Sequence, residues 1–213
     1  MTGDLVTGDR LADAVADVDA VIHCATDYRN MDDDVRGTRR LIETALRGGS
    51  PHLVYASIVG VDRIPLKMYR YKAGIEQIVQ RGGLPWSVQR LTQFHELVLT
   101  IVRNAGRFPL LPVPFGLKFQ SIDTRDAARR LVDLALADPV GRAGDIGGPM
   151  VQPVQDMARQ WLAAAGKRRR IVSVPVPGKV MRAYRQGWNL VPDNGIGTVS
   201  FEEFLMRVIR RER

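Results

Sequence analysis

The chain has 213 residues, of which 45% are hydrophobic and 25% charged, and a net charge of +8. That is the composition of an ordinary globular protein long enough to bury a normal core, and it excludes a disordered or low-complexity chain. One cysteine, Cys24, excludes an internal disulfide framework and fits a reducing, cytoplasmic location.

No apolar run approaches the roughly 20 residues of a membrane-spanning helix, so no membrane span is expected. The opening "MTGDLVTGDR" has no basic segment followed by an apolar stretch, so no secretory signal is read. Much of the positive excess sits in "GKRRR" (166–170) and "RVIRRER" (207–213). Without interleaved aromatic residues these clusters read as solvated helix ends and a basic tail, and no nucleic-acid partner is expected.

In chain order, "MTGDL" or "LVTGD" reads as a short leading strand. "DAVIHCAT" (19–26) is a continuous apolar run ending in small polar residues, the pattern of a buried parallel strand. In "DVRGTRRLIETALRGG" (34–49), Val35, Leu41, Ile42, Ala45 and Leu46 share one helical face and Gly48–Gly49 supply the stop. "HLVYASI" (52–58) repeats the strand pattern, "KMYRYKAGIEQIVQRGG" (67–83) the helical one, and "WSVQRLTQF" (86–94) gives a less pure third strand.

"TRDAARRLVDLALAD" (124–138) is a helix that Asp123 or Thr124 can cap, and "GDIGG" (144–148) a short strand into a glycine turn. "VQDMARQWLAAAG" (154–166) is helical, and "RIVSVPVPG" (170–178) is extended and broken by proline. "SFEEFLMRVIRR" (200–211) is a final helix capped by Ser200, with Phe201, Phe204, Leu205 and Val208 in one stripe. Strands separated by helices predict an α/β fold with a parallel sheet. Residues 1–149 read as the sheet-and-helix core and 150–213 as a smaller, mostly helical lobe.

In such a sheet, ligands bind beyond the carboxyl ends of the strands. Those ends present Asp4 and Leu5, then Cys24, Ala25 and Thr26, then Ser57, then Thr92, Gln93, Phe94 and His95. Lys72 stands near the start of the helix after Ser57, with Tyr69 three residues before it and Met68 four before it. The three histidines show no metal-ligand spacing, so no metal is expected. "MDDD" (31–34) opens a helix, where negative charge is favoured in any case, and no P-loop or G-x-S-x-G pattern occurs.

The ordered series "GDL", "DAVIHCAT", "HLVYASIVGVDRIP", "YRYK", "LPWSVQRLTQFHE", "FQSIDTRDAARRLVDLAL" and "DIGGP" resembles the atypical short-chain dehydrogenases/reductases, most closely the NmrA-like NAD(P)-binding proteins. A related branch includes the dinucleotide-binding accessory subunit of respiratory complex I. The resemblance spans essentially the whole chain and implies a Rossmann-like fold that binds NAD or NADP and a small-molecule substrate. It implies that Asp4 and Leu5 meet the adenine, that Cys24, Ala25 and Thr26 pass over ribose and phosphates, and that Thr92, Gln93 and Phe94 run beside the nicotinamide. Ser57 would orient a substrate carbonyl and Lys72 would hold the nicotinamide ribose.

Two departures from the family pattern stand out. The family begins with a strand, a glycine-rich turn and a helix that holds the pyrophosphate, and no such unit precedes Met1. The expectation is therefore an N-terminally truncated nucleotide fold, arising from a misassigned GTG start or a real loss. In it strand 19–24 becomes an open sheet edge prone to self-association, and dinucleotide binding is weak or absent. Met68 occupies the place of the family's proton-donating tyrosine, and a thioether has no proton to give. Tyr69 is the nearest replacement, offset about 100° round the helix. The expected function is an oxidoreductase acting on a small carbonyl or quinone-like substrate; the alternative is a non-enzymatic redox sensor or accessory subunit.

Overall fold

The computed structural model describes residues 2–211 and divides into two compact units. One comprises the residues up to Asp62, Leu66–Arg90 and Arg129–Gly144; the other comprises Arg63–Pro65, Leu91–Ala128 and the residues from Asp145 onward. Residues 91–128 thus fold with the C-terminal segment rather than with the sheet, and the division differs from a simple cut at 149. The reason is packing: Val98, Leu99 and Val102 bury their side chains in one cluster with Trp161, Phe201 and Phe204.

The elements, in order, are helix α1 (Leu11–Val15), strand β1 (Ala20–His23), α2 (Met31–Arg47), β2 (His52–Ile58), α3 (Lys67–Arg81), β3 (Trp86–Leu91) and α4 (His95–Ala105). There follow β4 (Leu110–Pro114), β5 (Lys118–Phe119), α5 (Thr124–Leu136), β6 (Gly141–Arg142), β7 (Gln152–Pro153) and α6 (Val154–Ala164). Then come β8 (Arg170–Val174), α7 (Lys179–Arg185), a 3-10 turn (Pro192–Asn194) and α8 (Phe201–Arg211).

The first unit is built on a sheet of order β1-β2-β3-β6, with β1 parallel to β2 and β3 parallel to β6. β2 is central and nearly all buried, which is why its sequence is continuously apolar rather than alternating. β1 closes the sheet as an edge strand, as expected, and its Ile22 stays 38% exposed. Among the described residues the predicted leading strand does not form, and Met1 of the "MTGDL" placement lies outside them. Residues 4–9 make turns instead, because the Asp4 carboxylate accepts the Val6 and Thr7 N–H groups and holds the backbone in a tight bend. The predicted strand at 144–148 is displaced: β6 lies at Gly141–Arg142, and Ile146 contributes only a single bridge, to Leu91.

Leu41, Ile42 and Ala45 of α2 and Ile75 and Val79 of α3 bury against Leu53, Tyr55 and Val88 of the sheet. Leu131 and Leu134 of α5 cover Val54 from another cluster. Each such side chain contributes roughly 1.5–3 kcal/mol by leaving water.

In the second unit β4 pairs in parallel with β8, and β5 pairs antiparallel with β7. α4, α6 and α8 supply its core. The α8 cap is a reciprocal box: Glu203 N–H donates to Ser200 Oγ while Ser200 N–H donates to the Glu203 carboxylate. Asp123 caps α5, accepting the Arg125 N–H on its carboxylate.

Gly148 marks the tightest backbone approach in this unit, since a Cβ there would lie 1.7 Å from the Ser121 carbonyl oxygen. Gly148→Ala is therefore expected to lower unfolding free energy by at least about 3 kcal/mol, measured by urea denaturation. A loss below about 1 kcal/mol would mean that this backbone contact relaxes freely.

Candidate functional site

At the carboxyl ends of β1 and β2, the first unit gathers polar groups that the sequence scatters over 50 residues. α3 turns its Tyr69, Lys72, Glu76 and Val79 inward, at helical spacing, so that a cation and a carboxylate join its apolar stripe. Lys72 is only 3% exposed. Its ammonium donates to Thr26 Oγ1, just beyond β1, and sits 5.2 Å from the centre of the Tyr55 ring. Burial lowers the Lys72 pKa from its ordinary value, and the negative charges of Asp34 and Cys24 partly oppose that.

The neighbours respond in kind. Burial raises the Cys24 thiol, with Lys72 opposing, although Cys24 itself is surface-exposed. Burial raises Asp34, one of whose carboxylate oxygens accepts the Asp27 N–H while the other is buried without a partner. Tyr55 is fully buried; its hydroxyl has no hydrogen-bond partner and its pKa is pushed upward, chiefly by burial and then by Glu76, Asp34 and Cys24.

His23 closes the back of this cluster. Burial first, then the Lys72 charge, pushes its pKa down to about 4. Thr38 Oγ1 donates its proton to the Asp34 carbonyl, so it accepts from His23 Nε2, and the neutral Nε2–H tautomer follows.

Ser57 is engaged elsewhere. Its hydroxyl donates to Glu76 Oε1, and Glu76 receives Nε and a terminal nitrogen of Arg90 at 2.8 and 2.7 Å. Arg90 also reaches Asp62 at 2.9 Å. Ser57, Glu76 and Arg90 are all buried, so this chain ties β2, α3 and β3 together inside the unit. Tyr69 is likewise buried, at 3% exposure.

The other predicted residues divide between the two units. Asp4 lies exposed in its own turn, its pKa lowered by the Thr7 and Val6 N–H bonds, and Leu5 packs near Gly37 of α2. Ala25 is exposed beside Cys24 and Thr26.

Thr92, Gln93 and Phe94 belong to the second unit. Thr92 Oγ1 donates to the Gln120 carbonyl at 2.5 Å, and Gln93 accepts from Asn189 at 3.4 Å, so both side chains serve internal contacts. Phe94 keeps 38% of its surface exposed. His95 is a structural neutral histidine, because Nε2 donates to the Val199 carbonyl and Nδ1 accepts from Ser121. The groups that residue pattern alone did not single out are Tyr55, Asp34, Glu76 and Arg90. The signal at Tyr55, Glu76 and Arg90 was a tyrosine and charged residues inside otherwise apolar stretches, whereas Asp34 was read only as part of the acidic start of α2. No group of three or more His, Cys, Asp or Glu with metal-binding geometry occurs among the described residues.

The fold matches solved nucleotide-binding enzymes. No protein-family model and no curated protein matches the chain in sequence. Among solved structures, the NADPH complex of an Escherichia coli NADPH-dependent quinone oxidoreductase superposes with a TM-score of 0.81 at 14% identity, covering 97% of this chain and 82% of that one. A nucleoside-diphosphate-sugar epimerase from Staphylococcus aureus gives 0.75 at 13% identity, covering 96% and 82%. The dTDP-glucose 4,6-dehydratase DesIV from Streptomyces venezuelae, with NAD and TYD bound, gives 0.71 at 22% identity, covering 99% and 79%. The architecture is thus the Rossmann-like α/β fold that the resemblance implied, with the parallel sheet that the residue pattern predicted.

Two stability measurements test the buried groups. A histidine with a depressed pKa stays neutral in the folded state while the unfolded chain takes up a proton. Stability therefore falls as pH drops from 6.5 to about 4 and levels off below, by on the order of 3 kcal/mol for His23. His23→Gln should remove that component from the pH profile of urea unfolding; an unchanged profile would show that His23 is not held neutral. Breaking the buried pair with Glu76→Gln should cost about 3–5 kcal/mol. Asp62→Asn, at a side chain 47% exposed, should cost less than about 1 kcal/mol in the same assay.

Proposed function

We propose that the chain is an NAD(P)-binding protein of the atypical short-chain dehydrogenase/reductase type, directing a hydride to a small carbonyl or quinone-like acceptor. The observation that carries this reading is the buried Lys72 ammonium held at Thr26 beyond the strand ends. A dry, oriented cation there suits the hydroxyls of a nicotinamide ribose, and the exposed Cys24 and Ala25 leave the backbone open to close approach. The solved structures of the same fold that contain NADPH or NAD support the choice of ligand.

The residues fit one end of a dinucleotide better than the other. Lys72 and Thr26 offer polar contacts for the ribose end. Among the described residues, however, no turn from a strand into a helix carries more than one glycine, so none provides the usual pyrophosphate cradle. When bound, the cofactor supplies the hydride. The chain's own contribution is then to hold the ribose through Lys72, to exclude water with Tyr55 and Tyr69 packed beneath, and to furnish a proton from Tyr69. The open β1 edge also supports strand-to-strand self-association.

A second reading, a non-enzymatic dinucleotide sensor or accessory subunit, is favoured by one specific observation. The Ser57 proton is committed to Glu76, and Met68 has none to offer, so two of the usual three groups of a carbonyl-reducing relay are occupied or absent.

Titration with NADPH and NADH tests the shared premise. The expected Kd is weak, about 0.1 mM, and Lys72→Met should weaken it at least about tenfold. Binding unaffected by Lys72→Met would remove the basis of both readings. Turnover with a quinone or an aldehyde that Tyr69→Phe abolishes supports the oxidoreductase; retained binding with no turnover supports the sensor.

A further inference from the structure

The positive charge of this protein is not spread over its surface. Residues 63–65, 91–128 and 145–213, which form the second unit, hold 17 Lys and Arg against 9 Asp and Glu; the first unit holds 14 of each. The entire net charge of +8 therefore belongs to the second unit. Within it, two stretches have no carboxylate at all, 97–122 and 157–192, yet carry eleven Lys and Arg between them.

The pairing of β4 with β8 draws those two stretches together. Along β4, Leu111 and Val113 point into the core, so Leu110, Pro112 and Pro114 face outward by strand alternation. Their register partners on β8 are Arg170, Val172 and Val174. Apart from Arg170 at one end, the outer face of this ribbon is therefore apolar, with Pro112, Pro114, Val172 and Val174 half-buried.

Both ends of the strip carry exposed large apolar side chains. Phe108 and Leu110 at one end are 59% and 51% exposed, and Phe115 at the other is 63% exposed. Both ends also carry cations. At the first, the exposed run Lys167-Arg168-Arg169 leads into Arg170, and Lys167 sits 5.2 Å from the centre of the Trp161 ring. Trp161 in turn packs against Gly106, just before Arg107 and Phe108. At the other end, Arg185 donates to the Phe115 carbonyl at 3.1 Å and to the Val176 carbonyl at 2.8 Å.

We propose that this β4–β8 face is a docking surface for an anionic lipid membrane, which the protein binds peripherally. An apolar strip with protruding Phe and Leu, rimmed by cations and free of carboxylates, matches the acyl boundary and the negative headgroups of such a surface. A nucleic acid matches it less well. Phe108 and Phe115 are separated by β4, roughly 17 Å of strand, too far to stack neighbouring bases, and the Leu, Pro and Val side chains between them offer a base no hydrogen bond. No helix among the described residues is long and apolar enough to cross a membrane. The inference does not depend on dinucleotide binding.

Flotation of the full chain with vesicles tests it, using phosphatidylcholine alone and phosphatidylcholine with about 30% phosphatidylglycerol. Binding is expected only to the anionic vesicles, falling at least about tenfold between 50 mM and 500 mM salt, roughly a threefold change in screening length. Arg168→Glu with Arg169→Glu, and separately Phe108→Ser with Leu110→Ser, should each weaken binding at least about tenfold. Thermal melting, unchanged for these exposed positions, confirms that the variants fold. Arg36→Glu with Arg39→Glu, in the charge-balanced unit, should leave vesicle binding intact. Failure to float with anionic vesicles, equal binding to neutral ones, or equal loss from the two charge-reversal variants would overturn the proposal. So would tight binding of a single-stranded oligonucleotide through Arg168 and Arg169 by a protein that ignores the vesicles.

Discussion

The first unit depends on a buried carboxylate. Glu76 accepts from Ser57 and from two nitrogens of Arg90, so one side chain of α3 is bonded to β2 and β3 at once. Hydrophobic contact alone leaves a helix some freedom to roll on a sheet. A charged pair in a dry interior does not, because any roll leaves a charge unpaired at large cost. The rotation of α3 is therefore set by Glu76, and one turn earlier that same rotation drives Lys72 inward beneath Thr26 and over Tyr55.

This coupling gives the candidate site its character. Lys72 is kept dry, which lowers its pKa, and its field helps to keep His23 neutral at the back of the cluster. Ser57 stands at a strand end that suits carbonyl chemistry, yet its proton anchors the helix that positions Lys72. Under the proposed function, Lys72 would orient a ribose whether or not a proton relay exists, so binding and turnover are tested separately.

The two units also divide the electrostatics. The sheet-bearing unit balances its charges in number, and pairs some of them directly, as in Arg36–Asp33 and Arg90–Glu76. The other unit has cations in excess and folds two carboxylate-free stretches beside each other. Charge of one sign gathered on an apolar ribbon is a property of the surface as a whole rather than of any motif.

Periodicity and composition carried much of the fold. β2 and the start of α3 fall at the predicted residues, and the α8 stripe of Phe201, Phe204 and Leu205 is buried with Ser200 as its cap. These are local properties, determined by side-chain spacing and capping groups that lie close in the chain. α4 and the β4–β8 pair were not legible, because "HELVLTIVRNA" follows a strand without a break and "LLPVP" is short and proline-bearing; each is stabilised by partners 60 or more residues away. Lys72 could be singled out from sequence, but that Ser57 would spend its proton on Glu76 could not, since that contact follows from how α3 is rolled on the sheet. The sequence by itself determined those strands and helices whose spacing and caps are local, and the alternation of the two that makes the fold α/β with a parallel sheet. Only the tertiary structure decided which polar side chains share a dry interior and which cations share a face, because both depend on contacts between residues far apart in the chain.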